Sequence, residues 1–162
     1  METSYRSEQR FAALWTVMPL TSLAVAAVLW FTGDPNARLG IGIVLSTTAF
    51  TLGVLGRLVV QIRGDRLLWH FGWLGIPRWE LPLADITGCE VARGAAAGAG
   101  IKGTRQDREY TAAVASPGVK FTLKDGRSVL LGSPEPERLR AFVEARLPEG
   151  AREAPKKAPR RR

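Results

Sequence analysis

The chain has 162 residues, a formal net charge of +8, one His and one Cys. So few thiols and imidazoles exclude a disulfide framework and argue against a His/Cys metal site, and the length allows one domain of about 100 residues beside any membrane segment. The cations are unevenly spread: Lys156, Lys157, Arg160, Arg161 and Arg162 close the chain with no acid among them, which calls for an anionic partner, either lipid headgroups or nucleic acid.

Residues 1–10 are polar, carry Arg6 and Arg10, and read as a short lead-in on the cytoplasmic side. Two uncharged runs follow, 11–31 and 39–56. As helices these would reach roughly 31 and 27 Å, close to the ~30 Å of a bilayer's hydrocarbon core. The connector 32–38, Thr-Gly-Asp-Pro-Asn-Ala-Arg, has room only for a tight reversal. The expectation is a transmembrane helical hairpin. Two rivals are a cleaved signal peptide ending near Ala24-Val-Ala26 and a pair of buried helices in a soluble protein. The first run continues past any such cleavage site and is followed at once by a second, and neither run shows the polar stripe of a core helix.

Orientation follows from the basic residues flanking the spans. Arg6, Arg10, Arg57, Arg63 and Arg66 lie on the side of the two termini, against Arg38 alone in the connector. This places both termini in the cytoplasm and makes the protein a multi-pass resident of the membrane. Pro19 is expected to bend the first helix, and Gly40, Gly42, Ser46, Gly53 and Gly56 to give the second a small-residue face for close packing.

Beyond Gly56 the pattern alternates. Residues 57–62 and 66–72 read as strands around an Arg63-Gly-Asp65 turn, with Leu67, Trp69 and Phe71 on one face and Leu68 and His70 on the other. His70 is thus a strand-face residue, with no second His and no evident nucleophile to work with. A turn over 73–77 leads to a strand over 78–81, a corner over 82–86 and a strand over 87–93 that carries Cys89 as a packed or half-buried thiol. Residues 94–103 are rich in Ala and Gly and contain a literal G-x-G-x-x-G at Gly98, Gly100 and Gly103. No helix or βαβ unit follows it, so the spacing is read as chance and no nucleotide is implied. A weak strand over 109–115 precedes the hairpin 118–132. There, parity asks for a three-residue Lys124-Asp-Gly126 loop with Gly126 left-handed, because a two-residue loop would put Val129 and Leu131 on the lysine face. Ser133 and Pro134 read as cap and first residue of a helix whose apolar face is Leu139, Phe142, Val143 and Leu147, ended by Pro148. The basic tail 148–162 has the composition of a disordered segment.

About seven short antiparallel strands capped by one C-terminal helix is the order of a pleckstrin-homology (PH) barrel. Leu67-Leu-Trp-His-Phe-Gly72, the Leu81-Pro-Leu-Ala-Asp-Ile86 corner, the Gly-rich Gly98-Ala-Gly-Ile-Lys102, Val119-Lys-Phe-Thr-Leu-Lys-Asp-Gly-Arg127 and Gly132-Ser-Pro-Glu-Pro-Glu-Arg-Leu139 together resemble the bacterial PH-like membrane proteins. The resemblance implies a two-helix anchor in a bacterial plasma membrane followed by a PH-like domain over 57–147. It also implies a non-catalytic role in protein interaction or self-association at the cytoplasmic face. No cofactor, metal, nucleic acid or small-molecule substrate is called for. The alternative is a sensor of anionic lipid or of the state of the envelope, with Arg57, Arg63, Arg66, Lys156, Lys157, Arg160, Arg161 and Arg162 as candidate membrane-surface contacts. Basic residues spread along the first hairpin loop, the phosphoinositide signature of eukaryotic PH domains, are absent, since Arg63-Gly-Asp-Arg66 is short and carries an acid.

Overall fold

The computed structural model describes residues 4–95 and 100–147. Its first element is one the sequence hides. Ser4–Arg10 forms strand β1, antiparallel to β2 (Arg57–Arg63) along its whole length, from Ser4 opposite Arg63 to Arg10 opposite Arg57. Alternation is present, with Tyr5 and Ser7 buried between exposed Ser4, Arg6 and Glu8. Only one of these inward positions is a large apolar residue, so the segment resembles a polar lead-in. The hydroxyl of Tyr5 lies 3.4 Å from the Oγ of Ser133, across the molecule.

Between β1 and β2 the chain leaves the sheet as helices α1 (Ala12–Phe31) and α2 (Ala37–Leu55) and returns. The return is closed at its base, where the Phe11 N–H donates to the Gly56 carbonyl (3.2 Å) and the Trp15 indole donates to the same oxygen (2.7 Å). The helical pair is therefore an excursion between two paired antiparallel strands, and the sheet is built from sequence on both sides of it. Both helices are long and apolar enough to cross a membrane and have only 6% of their most apolar stretch buried within the protein. Ser22 and Thr48 are buried between them, 2.5 Å apart. Since the single Thr48 proton goes to the Val44 carbonyl (2.8 Å), Ser22 is the donor. The expected small-residue face holds in part: a Cβ at Gly56 would meet the Trp15 indole of α1 (3.1 Å). Of the small residues within α2, a side chain at Gly40 would meet Leu29, but Gly42 and Gly53 face open space. The small side chains that the pair buries are Ser22, Ala37 and Thr48.

The first sheet is the meander β1-β2-β3-β4, with β3 at Arg66–Phe71 and β4 at Arg78–Pro82. A 3-10 turn (Leu83–Asp85) makes the corner into β5 (Ile86–Arg93). The second sheet runs β5-β8-β9-β7-β6, with β6 at Gly100–Gly103, β7 at Asp107–Thr111, β8 at Pro117–Leu123 and β9 at Ser128–Gly132. Seven strands were expected; the difference lies in β1 and in β6, part of the Gly-rich segment. An all-antiparallel barrel was also expected, but β7 lies parallel to β9, from Asp107 opposite Ser128 to Tyr110 opposite Leu131. The β6–β7 hairpin is added to the outside of a β5-β8-β9 meander, and an appended hairpin can approach its neighbour in either direction.

The 118–132 hairpin has the loop that parity requires. Phe121 is opposite Val129, the Leu123 N–H reaches the Arg127 carbonyl (2.9 Å), and Gly126 takes φ +82°. Inward residues of both sheets, among them Leu58, Ile62, Leu67, Trp69, Phe71, Ile86, Val119, Phe121 and Leu131, form one core. Each fully buried aliphatic or aromatic side chain contributes about 1.5–3 kcal/mol. Helix α3 (Pro136–Glu144) closes that core with Leu139, Val143 and, just beyond it, Leu147. It begins two residues later than Ser133 and Pro134 suggest. Pro136 holds the early helical position, while the Ser133 hydroxyl accepts from the Glu135 N–H (3.2 Å) in the turn before it. This architecture of two apolar helices, sheets of four and five strands and a C-terminal helix is compatible with a PH-like barrel.

Candidate functional site

A cleft of about 470 Å³ opens between β4 and the β7–β9 part of the second sheet. Its floor follows from register. β3 and β4 pair Trp69 with Trp79, so the two indoles stack at 6.3 Å and 16°, and Tyr110 of β7 meets them at 5.3 and 4.9 Å. Trp69 is buried, and its Nε1–H has no acceptor. Among the described residues β4 ends its sheet, so the backbone groups on its outer edge are not paired with another described strand.

The rim is basic. Arg105 and Arg108 flank it from the β6–β7 turn and from β7, and Arg127 from the β8–β9 turn. The presenting turn is fixed, because the Thr104 hydroxyl accepts from the N–H groups of both Gln106 (3.2 Å) and Asp107 (3.3 Å). Asp107 points the other way. It accepts a short hydrogen bond from Ser128 and an ion pair from Lys120 (3.1 Å), and these hold its carboxyl below the ordinary range. Asp125 is likewise lowered, first by the Arg127 N–H (2.9 Å) and then by its guanidinium (2.6 Å), so Arg127 is neutralised locally. Glu80, the one acid on the rim, is paired with Arg66 (2.9 Å). Arg105 and Arg108 have no ion pair or side-chain hydrogen bond among the described residues. Among the described residues the cleft thus combines an aromatic floor, a strand edge without a neighbouring strand and two guanidinium groups without an ion pair.

The cations singled out in the sequence do not gather. Arg57 is at the foot of the helices but is engaged: it pairs with Glu8 (2.9 Å), donates to the Gly72 carbonyl (3.3 Å) and stacks on Trp73 at 4.3 Å. Glu8 is in turn held below its usual value, first by its bond from Arg6. Arg63 and Arg66 lie at the far turn of the β2–β3 hairpin, about 20 Å along the strand from Arg57. Arg66 belongs, through Glu80, to the rim of the cleft. Lys156, Lys157, Arg160, Arg161 and Arg162, with the rest of 148–162, lie outside the described residues, as do Gly98 of the glycine motif and residues 96–99 generally.

Cys89 is half-buried, as its alternation predicts, with its thiol 3.7 Å from a Glu144 carboxylate oxygen. Burial first, and then that negative charge, push it up to about 11. His70 is a half-buried strand residue whose Nδ1 lies 3.3 Å from the Phe71 carbonyl. Among the described residues no group of three or more His, Cys, Asp or Glu is placed to hold a metal ion. Sequence reasoning missed the cleft because Arg105 and Arg108 lie in a stretch with no apolar period. The available signal was a Trp on each side of the 73–77 turn, but pairing Trp69 with Trp79 needs a loop over 72–76 closed by Phe71 and Pro77, which the expected turn bounds did not give. No protein-family model matches the chain, and no curated protein matches it.

Proposed function

We propose that this protein is a membrane-anchored, PH-like binding module that holds an extended, acidic protein segment in the cleft between its sheets. The observation that carries the reading is the pair Arg105 and Arg108, without an ion pair or side-chain hydrogen bond among the described residues, above the Trp69–Trp79–Tyr110 floor and beside the open edge of β4. An incoming strand would pair with that edge, giving affinity without sequence preference. Carboxylates at alternate positions would reach the guanidinium groups, giving specificity. The protein's own tail carries five cations and no acid from Ala154 on, the wrong sign for this cleft. The groups at hand are arginines, an ion-paired glutamate and aromatic rings, which suit binding better than proton transfer or nucleophilic attack.

The hairpin supplies the location. Its apolar length supports a bilayer-spanning anchor, and the basic residues on the side of the termini support a cytoplasmic placement of the barrel in a bacterial plasma membrane. The test uses the full chain in lipid nanodiscs and two decapeptides of alternating pattern, one Glu/Val and one Lys/Val, followed by calorimetry. The glutamate peptide should bind and the lysine peptide should not. Arg105→Glu with Arg108→Glu should weaken binding by about tenfold or more, since each charge-assisted hydrogen bond contributes roughly 1.5–3 kcal/mol. Equal binding of both peptides, or an unaffected double variant, overturns the reading.

A further inference from the structure

The loop between β3 and β4 carries Trp73-Leu-Gly-Ile76, with Trp73, Leu74 and Ile76 each about 60% exposed or more (59, 64 and 66%). Three large apolar side chains on one solvent-facing loop would be a liability in a soluble protein. Their position explains them. The Trp73 N–H donates to the Gly53 carbonyl (2.7 Å), and Gly72 sits so close to α2 that a Cβ there would lie 2.2 Å from the Val54 oxygen. Gly53 belongs to the last turn of α2, so the loop lies alongside the helix above its foot. The exposed surface of both helices is apolar, with Leu20, Val28, Leu39 and Phe50 all more than 60% exposed. Whatever medium bathes the last turn of α2 also bathes Trp73.

On the other flank an apolar cleft of about 670 Å³ runs between the foot of α1 and the second sheet, and every residue lining it is apolar or glycine. Its outer lip is Ile101 of β6 and Val114, both at least half-exposed. The Arg57 guanidinium over the Trp73 ring adds a cation–aromatic pair of the kind that settles at the headgroup level.

We propose that the Trp73–Ile76 loop, together with Ile101 and Val114, is a second membrane contact, a monotopic collar that dips into the acyl-chain boundary of the leaflet from which the helices emerge. The occupant of this face is lipid. The argument is its continuity with the apolar surface of α1 and α2, so the inference rests on the hairpin spanning the bilayer. The collar fixes the tilt of the barrel against the membrane, which a pair of helices joined at one turn would leave free.

The test is spin-label accessibility in the full chain, reconstituted in vesicles, with Cys89→Ala as background. Single cysteines replace Leu74, Ile76, Ile101 and Val114. Ile43→Cys on α2 is the lipid control and Lys124→Cys on the β8–β9 turn the aqueous one. The oxygen-to-nickel collision ratio at positions 74 and 76 should exceed that at 124 by about tenfold, approaching that at 43. A ratio at 74 and 76 equal to that at 124, with 43 in lipid, overturns the collar and leaves the hairpin standing. Protection from both reagents with dipolar broadening assigns the face to a second copy and likewise overturns it. A nickel-accessible label at 43 overturns the spanning hairpin, and the collar with it.

Discussion

The helical pair α1–α2 and the single helix α3 draw on the same apolar residues and hide them from opposite partners. In α3, Leu139 and Val143 are fully buried while Arg138 and Arg140, flanking that face, lie in Glu pairs, at 2.9 Å with Glu135 and 2.7 Å with Glu144. In α1 and α2 most of the large apolar side chains are exposed, and the buried residues are Ser22, Ala37 and Thr48. One face of apolar residues every three to four positions marks a helix that packs on a core; apolar residues all round mark one whose surroundings are themselves apolar. Polar side chains then become the glue between helices instead of the skin.

The largest expected effect follows directly. Leu139→Ala removes a fully buried side chain from the closing helix and should destabilise the two-sheet domain by about 2–5 kcal/mol. Ile43→Ala, at 58% exposure on α2, should leave unfolding of that domain in detergent unchanged within about 0.5 kcal/mol. Comparable losses from the two substitutions would break the contrast. Next in size, Ser22→Ala should weaken the association of the helices by about 1 kcal/mol, within the range found for hydrogen bonds between membrane helices. Thr48→Ala should do the same, and the double variant little more, because one bond is shared. A helix-dissociation assay in micelles reads this.

A smaller effect concerns acid. Asp107 binds Ser128 and Lys120 and has a carboxyl held below its ordinary 3.8. The sign is that of a depressed acid: its contribution is complete above the unfolded value near 3.8 and is lost as pH falls through the lower folded value. With the side chain 54% exposed, that contribution is under about 1 kcal/mol. Asp107→Asn should thus lower stability slightly at pH 7, and the difference from the parent should shrink as pH falls below 3.8. The smallest signal is chemical. The Cys89 thiol, pushed up to about 11, should react with a thiol reagent at pH 7.5 far more slowly in the folded protein than in urea.

Much of this fold is legible in the residues. The two uncharged runs, the three-residue loop at Gly126 and the apolar face of α3 each follow from a local pattern that tertiary structure had no reason to override. β1 is different, because its inward residues are Tyr5 and Ser7 and its partner lies beyond 46 intervening residues, 11–56, of another character. The parallel β7–β9 pairing leaves no local trace either. The candidate site suffers most. Arg105 and Arg108 matter through what they stand beside, and the Trp69–Trp79 floor exists only once two strands are in register. The cations that look significant in a list, Arg57 and Arg66, prove to be occupied by Glu8 and Glu80.

The central claim is that the helical pair is inserted between two neighbouring strands, β1 and β2, of the first sheet. β1 and β2 stay in register up to Arg10 and Arg57, and the Phe11 N–H donates to the Gly56 carbonyl just beyond, so the two strand ends are close enough for a short loop. Residues 12–55 can therefore be replaced by Asn-Gly and the product compared, by circular dichroism and thermal unfolding, with a chain that starts at Arg57 and lacks β1. The joined chain should be soluble and β-rich and should unfold cooperatively, while the chain without β1 should not. A joined chain that fails to fold, beside a chain from Arg57 that unfolds cooperatively, would contradict the account.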